Sequence, residues 1–357
     1  MAGVADMVKK WTGMVNGEAS SVTAAGPLQS RWLAPSWMPL VTSGQENLNE
    51  ESIMGKIWIG ISGWRYAPWR GSFYPEGLRQ DGELHYASRV LPSIELNGSF
   101  YALQRPESYQ RWYEDTPPGF LFSHKGNRFI THTRRLQDID GALANVFASG
   151  VLNLKEKLGP FLWQFPPSFR YDPEPLEHFL SLLPHDTEAA QRLARGHEPR
   201  MEGRAALDVD RKRKLRHAME IRHDSFVDES FIKLLRKYKV ALVVADAPKK
   251  WPYQEDVTAD FMYLRLHGDK RLYQSGYSDE AIDAWAERIR AWASGGQPED
   301  GPRISGSAPR KRASRDIYCY FDNDMKVKAP FDARRLIDRL GLKLDLPPPG
   351  RMLDEDR

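Results

Sequence analysis

From Lys56 onwards, short runs rich in β-favouring residues recur at intervals, and most are separated by longer amphipathic stretches. The runs are IWIGISGW (57–64), SIELNGSF (93–100), FLFSHKGN (120–127), FLWQFPP (161–167), RHAMEIRH (216–223), VALVVADA (240–247), FMYLRLHG (261–268) and DIYCYFDND (316–324). Between them lie stretches such as PESYQRWYEDT, EPLEHFLSLL, DESFIKLLRKYK and SDEAIDAWAERIRAWA, with apolar residues three and four apart, and APFDARRLIDRL follows the last run. Eight strands, each followed by a helical stretch over roughly 290 residues, predict an α/β fold, a closed (β/α)8 TIM barrel of eight parallel strands ringed by helices. An open doubly wound sheet is the rival arrangement.

The barrel is expected over 53–345, with a mostly disordered N-terminal extension at 1–52 and a disordered tail at 346–357. Two connections, near 185–215 and 295–315, exceed an ordinary barrel loop and read as mobile insertions. Each ends in a basic cluster that nucleic acid or a localisation receptor could read, although such runs are more often solvated. Because both lead into the next strand, they are expected at the N-terminal end of the barrel, away from its active face.

A 41% hydrophobic content across 357 residues suffices for a substantial core. The net charge of +3 is too small to imply a polyanionic partner by itself. Cys319 is the single cysteine, which excludes an internal disulfide framework and four-cysteine zinc sites and suits a reducing compartment. No run reaches the roughly 18–20 apolar residues of a membrane span, and early acidic residues argue against a transit peptide. A soluble, cytoplasmic protein is expected, with a nuclear location also open.

Alternation along a strand sends side chains in turn outwards to the helices and inwards to the barrel axis. In YLRLHG, Leu264 and Leu266 fall on one face and Tyr263, Arg265 and His267 on the other. The same sorting gives inward Glu95 and Asn97, Lys125, Glu220 and Arg222, Asp246, and Tyr318, Tyr320 and Asp322. These polar groups gather at the C-terminal ends of their strands, where active sites of such barrels lie. A buried ion-pair network is the plain alternative, but desolvation commonly cancels its Coulombic gain. The site reading therefore expects removal of the Arg265 charge to cost little stability.

Several stretches together resemble the DUF72, or YecE-like, family: GISGWRYAPWRGSFYPEGL, SIELNGSFYALQRPESYQRW, TPPGFLFSHKGNRFITHTRRL, KLGPFLWQFPPSF, MEIRHDSF, VVADAP, TADFMYLRLHG and YFDNDMKVKAPFDA. The resemblance runs in order from about residue 57 to 340. It implies a TIM barrel of the kind seen in xylose isomerase and endonuclease IV, and it implies no activity. Matched to the family pattern, the acid and amide of the second strand are Glu95 and Asn97, the lysine of the third is Lys125, and the Thr-His pair is Thr131-His132. The fifth-strand run keeps Glu220, Arg222 and His223 but has Ile221 in place of an aromatic. Ser225-Phe226 stands where Ser-Trp is usual, and Asp322-Asn323-Asp324 where Asn-Asn-Asp is usual, which adds a carboxylate.

Two chemistries remain open. In the metal-free one, Lys125, Arg222 and Arg265 hold an anion, most naturally a phosphate. Glu95, Glu220 or Asp322 then serves as general acid or base, and His267 carries the proton. Asn97, His132, Asp246, Asn323 and Asp324 complete the binding set, with Trp64, Trp69 and Tyr101 available for stacking on a sugar or base. In the metal-assisted one, Glu95, Glu220, Asp246 and His267 bind a divalent ion, as in a metal-dependent isomerase or an endonuclease IV-like phosphodiesterase. Paired acids also permit glycoside hydrolysis. No nucleophile elbow and no glycine-rich phosphate loop occurs. The expectation is a hydrolase or isomerase acting on a phosphosugar or a nucleic-acid backbone, set against a binding protein that recognises an anionic ligand without turnover.

Overall fold

A computed structural model of the chain describes residues 54–348. The expected N-terminal extension and most of the expected tail lie outside the described residues. Eight parallel strands close in sequence order, with β8 pairing back onto β1. They are β1 Ile57–Ser62, β2 Ser93–Leu96, β3 Leu121–Lys125, β4 Leu158–Gln164, β5 His217–Glu220, β6 Ala241–Asp246, β7 Phe261–Leu266 and β8 Asp316–Phe321. The predicted closed barrel is the observed fold, and the open sheet is set aside by the β1–β8 pairing of Ile57 with Ile317 through to Ile61 with Phe321.

Around the strands stand α1 Glu83–Val90, α2 Pro106–Asp115, α3 Asp140–Ala148, α4 Pro173–Leu182, α5 Thr187–Ala194, α6 Glu229–Tyr238, α7 Asp279–Ala293 and α8 Ala329–Leu340. Their starts are written in the sequence. Asp172, Asp186, Asp228 and Ser278 each accept a backbone N–H of the first turn of α4, α5, α6 and α7, and prolines open α2, α4 and α8. One expectation needs correcting, because β6 has no helix after it. Residues 247–260, with two prolines and three acids in a span without three-four apolar spacing, run irregularly to β7.

Outward residues such as Ile59, Ile61, Ile94, Val244, Leu264 and Leu266 form the main core against the helices. The interior holds a second, smaller cluster that includes Leu162, Ala218, Val243, Tyr263, Tyr318 and Tyr320. Its base is closed where Arg216 donates to Asp316 and to the Tyr318 hydroxyl, beneath the stacked rings of Trp58 and Tyr318.

The second long connection lies at this N-terminal end, pinned by the backbone N–H groups of Ile304 and Ser305 on the Asp256 carboxylate. The first divides. Lys212, Arg213 and Lys214 stay near the base and pair with Glu188, Asp210 and Asp260, so this basic cluster is largely neutralised. Residues 198–204 instead climb beside the N-terminal half of α3. Asn145 and Glu198 bond to one another twice there, and the Glu198 side chain lies against Gly141. Because α3 runs antiparallel to the strands, this part of the connection reaches the C-terminal face, contrary to the expectation that all of it lies at the other end.

Candidate functional site at the barrel mouth

Strand register brings the polar inward residues to one level. Ser62 pairs with Glu95, Glu95 with Ser123, Gln164 with Glu220, and Ala245 with Arg265. The result is a fully buried guanidinium on the barrel axis. Arg265 Nε and Nη2 donate to the two oxygens of Glu95 at 3.0 and 2.9 Å, Nη1 to Glu220 Oε2 at 2.7 Å, and Nη2 also to Asp322 Oδ2 at 2.8 Å and Ser62 Oγ at 3.2 Å. The hydroxyls of Ser62 and Tyr263 complete the shell of Glu95 at 2.7 and 2.8 Å. Glu220 takes a second cation, Arg222 Nε at 2.6 Å on Oε1.

On Arg265, Glu220 and Asp322 burial opposes charge, yet mutual attraction wins. Against burial, Glu95, Asp322 and Glu220 hold the Arg265 pKa well above its usual value. Arg222 and Arg265 hold the Glu220 carboxyl far below the ordinary range, and Arg265 with His267 does the same for Asp322. These carboxylates are therefore ionised acceptors, with little capacity to exchange protons near neutrality.

Other groups at the rim are poised differently. Lys125 ends β3, is 8% exposed and lies over the Phe100 ring, 4.7 Å from its centroid. Its ammonium makes neither a hydrogen bond nor an ion pair with any described residue, and burial followed by repulsion from Arg265 lowers its pKa to about 8. Asp324 is pushed up to about 7 by burial and by the charge of Asp322, beside Tyr66, whose hydroxyl donates to the Ser62 carbonyl. His132, beside Phe100 and bonded to Thr131, is lowered to about 4 by burial and then by Arg222 and Lys125. His267 is buried with Nδ1 3.1 Å from Asp322 Oδ2, and burial lowers its pKa. Its Nε2 is buried without a hydrogen-bond partner. Trp251 and Tyr273 pack edge-on against this imidazole, and Trp251 also lies under the Arg222 guanidinium at 3.7 Å.

The structure thus brings together Glu95, Asn97, Lys125, His132, Glu220, Arg222, Arg265, His267, Asp322 and Asp324, with Tyr101 at the edge. Asn97 joins by donating to Ser62 Oγ. Four expected members turn away. Asp246 has the parity of Leu242 and Val244, so it faces the helix layer, where it accepts from the Tyr277 hydroxyl and burial raises its pKa to about 6. Trp64 packs edge-on against Trp112 of α2. Asn323 donates to the Ser275 carbonyl and to Asp332, tying loops together. Trp69 is likewise sealed among Tyr66, Phe73 and Tyr74. Ser62, Tyr66, Trp251 and Tyr273 were missed. Ser62 carried a readable signal, the inward parity of the last β1 residue, whereas the other three arrive from loops.

The set Glu95, Glu220, Asp246 and His267 does not fit a divalent cation. Asp246 points outwards, and the Arg265 guanidinium occupies the point on which Glu95 and Glu220 converge. Among the described residues no group of three or more His, Cys, Asp or Glu side chains is arranged to hold a metal ion. No described helix is long and apolar enough to cross a membrane.

A model of the family described as "Protein of unknown function DUF72" matches residues 58–352. The UPF0759 protein YecE of Escherichia coli K12 is 25% identical over 244 residues, 66% of this chain and 82% of that protein. The UPF0759 protein YunF of Bacillus subtilis is 30% identical over 118 residues, 32% of this chain and only 41% of that protein. Among solved structures, a DUF72 family protein of Thermotoga maritima aligns with a TM-score of 0.60 at 24% identity, covering 80% of this chain and all of that one. One from Enterococcus faecalis aligns at 0.57 and 17%, covering 84% of this chain and all of that one. At these identities the two likenesses speak to the fold alone.

Proposed function

This chain belongs to the DUF72 family, and from that premise we propose that it is an enzyme whose barrel mouth binds a phosphate-bearing substrate and performs metal-free acid-base chemistry on it, by hydrolysis or isomerisation. One observation carries the reading. Of the four carboxylates at the mouth, Glu95, Glu220 and Asp322 turn to Arg265, while the neighbouring ammonium of Lys125, a residue 8% exposed, has no acceptor among the described residues. Burial disfavours such a cation, and with the nearby carboxylates committed to Arg265 a ligand that brings its own negative charge is favoured there.

In this arrangement Lys125 and Arg222 hold the anionic group. Glu95, Glu220 and Asp322 orient and balance Arg265 and take no part in proton transfer. Asp324, near half-ionised at neutral pH, is matched to donate and accept a proton, and the free Nε2 of His267 offers a second exchange point.

The test is a thermal-shift series with sulfate, inorganic phosphate and sugar phosphates on the wild-type protein and Lys125→Met. Protection of the wild type and its loss in the variant are expected, and equal protection of both would remove Lys125 from the site. Turnover of the protecting phosphates, followed by phosphate release and by NMR for isomerisation, should fall by 10²-fold or more in Asp324→Asn. Binding with no turnover by the wild type would assign the mouth to a ligand-recognition protein.

A further inference from the structure

Beside the mouth lies a groove of about 360 Å³ that the mouth chemistry does not use. Tyr101 and Phe129, among the most exposed of the described large hydrophobic side chains at 39% and 36%, stand along it. Arg105, at the start of α2, faces it from one side. Arg200 and Arg204 face it from the segment of the first long connection that climbs to this end of the barrel. Among the described residues no acidic side chain lines it. Arg200 is ion-paired with Glu198 at 2.7 Å, whereas no ion pair with a described acid is formed by Arg105 or Arg204. Arg200 Nε bonds to Glu198, which is itself fixed by Asn145, and Arg204 Nε donates to the Arg200 carbonyl. Both leave their Nη groups for a ligand.

The groove adjoins the mouth at Tyr101, which lines the one and edges the other. Tyr101 lies close enough to Asp322, Asp324 and Arg222 for their charges to act on its hydroxyl, and Asn127, which lines the groove, is two residues beyond Lys125. A substrate with a single phosphate seated on Lys125 and Arg222 has nothing with which to engage three further arginines. A chain of phosphates does, and alternation of cations with exposed aromatic rings is what a single strand of nucleic acid requires, since phosphates meet the guanidiniums and unpaired bases stack on the rings.

We propose that this groove is the track of a single-stranded nucleic acid, and that the phosphate seated at Lys125 in the reading given above is one linkage of that strand. The inference rests on that reading for the mouth but stands on different residues, so the two can fail separately.

The experiment measures fluorescence anisotropy of 5′-labelled 10-nucleotide DNA and RNA strands, a duplex of the same sequence, and thermal protection by inorganic phosphate. It uses wild type, Arg200→Ser/Arg204→Ser, Phe129→Ala and Lys125→Met. The arginines and Phe129 are exposed, so these variants should keep the wild-type circular dichroism. Expected are single-strand binding that weakens with salt, a loss of at least tenfold in the double arginine variant with a shallower salt slope by about 0.7 per phosphate contact removed, and a several-fold loss in Phe129→Ala. Phosphate protection should be unchanged in both. Failure to bind any strand at 50 mM salt, an affinity indifferent to Arg200 and Arg204, or a preference for the duplex would overturn the proposal. Loss of phosphate protection in Lys125→Met with strand binding indifferent to the groove variants would retain the mouth and discard the track. Strand binding that depends on the groove but not on Lys125 would do the reverse.

Discussion

Arg265 is where residue-level energetics decide most. The site reading expects its charge to be removable at little cost, but the geometry argues otherwise, since five hydrogen bonds from one guanidinium satisfy three carboxylates and a serine in a dry interior. Arg265→Met would leave those carboxylates facing one another. The expected loss is about 3–5 kcal/mol at pH 7, the size seen when one partner of a buried pair is removed, measured by urea denaturation. Glu220 and Asp322 have depressed pKa values in the folded wild type. Their contribution is therefore present above the ordinary carboxylate range and fades as pH falls, and the deficit of the variant should shrink towards pH 4. Lys125 has the opposite sign. Its folded pKa, about 8, lies below the ordinary lysine value, so the unfolded chain binds more protons between about 8 and 10.4 and stability rises through that window. Lys125→Met should abolish the rise and be more stable at pH 7 by on the order of 1–3 kcal/mol. Sulfate, whose charge is constant over this range, should bind the wild type more weakly as pH passes about 8, and calorimetry would show no such change in the variant.

Among the elements, the β1–β2 junction leaves no room for a side chain at Gly60. A Cβ on Gly60 would stand 2.1 Å from the Ser93 carbonyl oxygen, a backbone atom that cannot swing aside. Gly60→Ala should cost about 1–3 kcal/mol through strand displacement, read from the denaturation midpoint. A wild-type midpoint would show that the two strands can part without loss. Most of the strands and their inward faces were legible because alternation is strict wherever the interior packs in layers, so Glu95, Lys125, Glu220 and Arg265 could be placed from parity alone. Asp246 was misplaced because parity was assigned to the acid instead of being carried up from Ala241, Val243 and Ala245. The missing helix after β6 and the loop-borne Trp251 and Tyr273 had no periodic signal to read. The first long connection was misjudged for a related reason, since order in the chain says which strand a segment enters but not how far it wanders before it gets there.

At the scale of the whole molecule, closure depends on the C-terminal helix. α8 buries Ala333, Leu336 and Ile337 against the first and last strands and α7, and its Asp332 takes bonds from Asn323 and the Tyr277 backbone. A chain stopped after Lys328 should lose its cooperative melting transition and its near-ultraviolet circular dichroism, whereas an intact transition would mean that strand pairing alone seals the cylinder. Closure also has an order in time. Ser62, Glu95, Lys125 and Glu220 leave the ribosome before Arg265, and Asp322 leaves after it. A nascent chain that has released six strands already holds Arg222 against Glu220, but Glu95 points into an unfinished cylinder without the guanidinium that binds both of its oxygens, and its hydration opposes closure of that end. The lower interior, built from apolar and phenolic side chains, carries no such obstacle and can consolidate as it emerges. The seventh strand thus supplies the guanidinium on which the upper interior converges, and the eighth strand with α8 completes the ring around it.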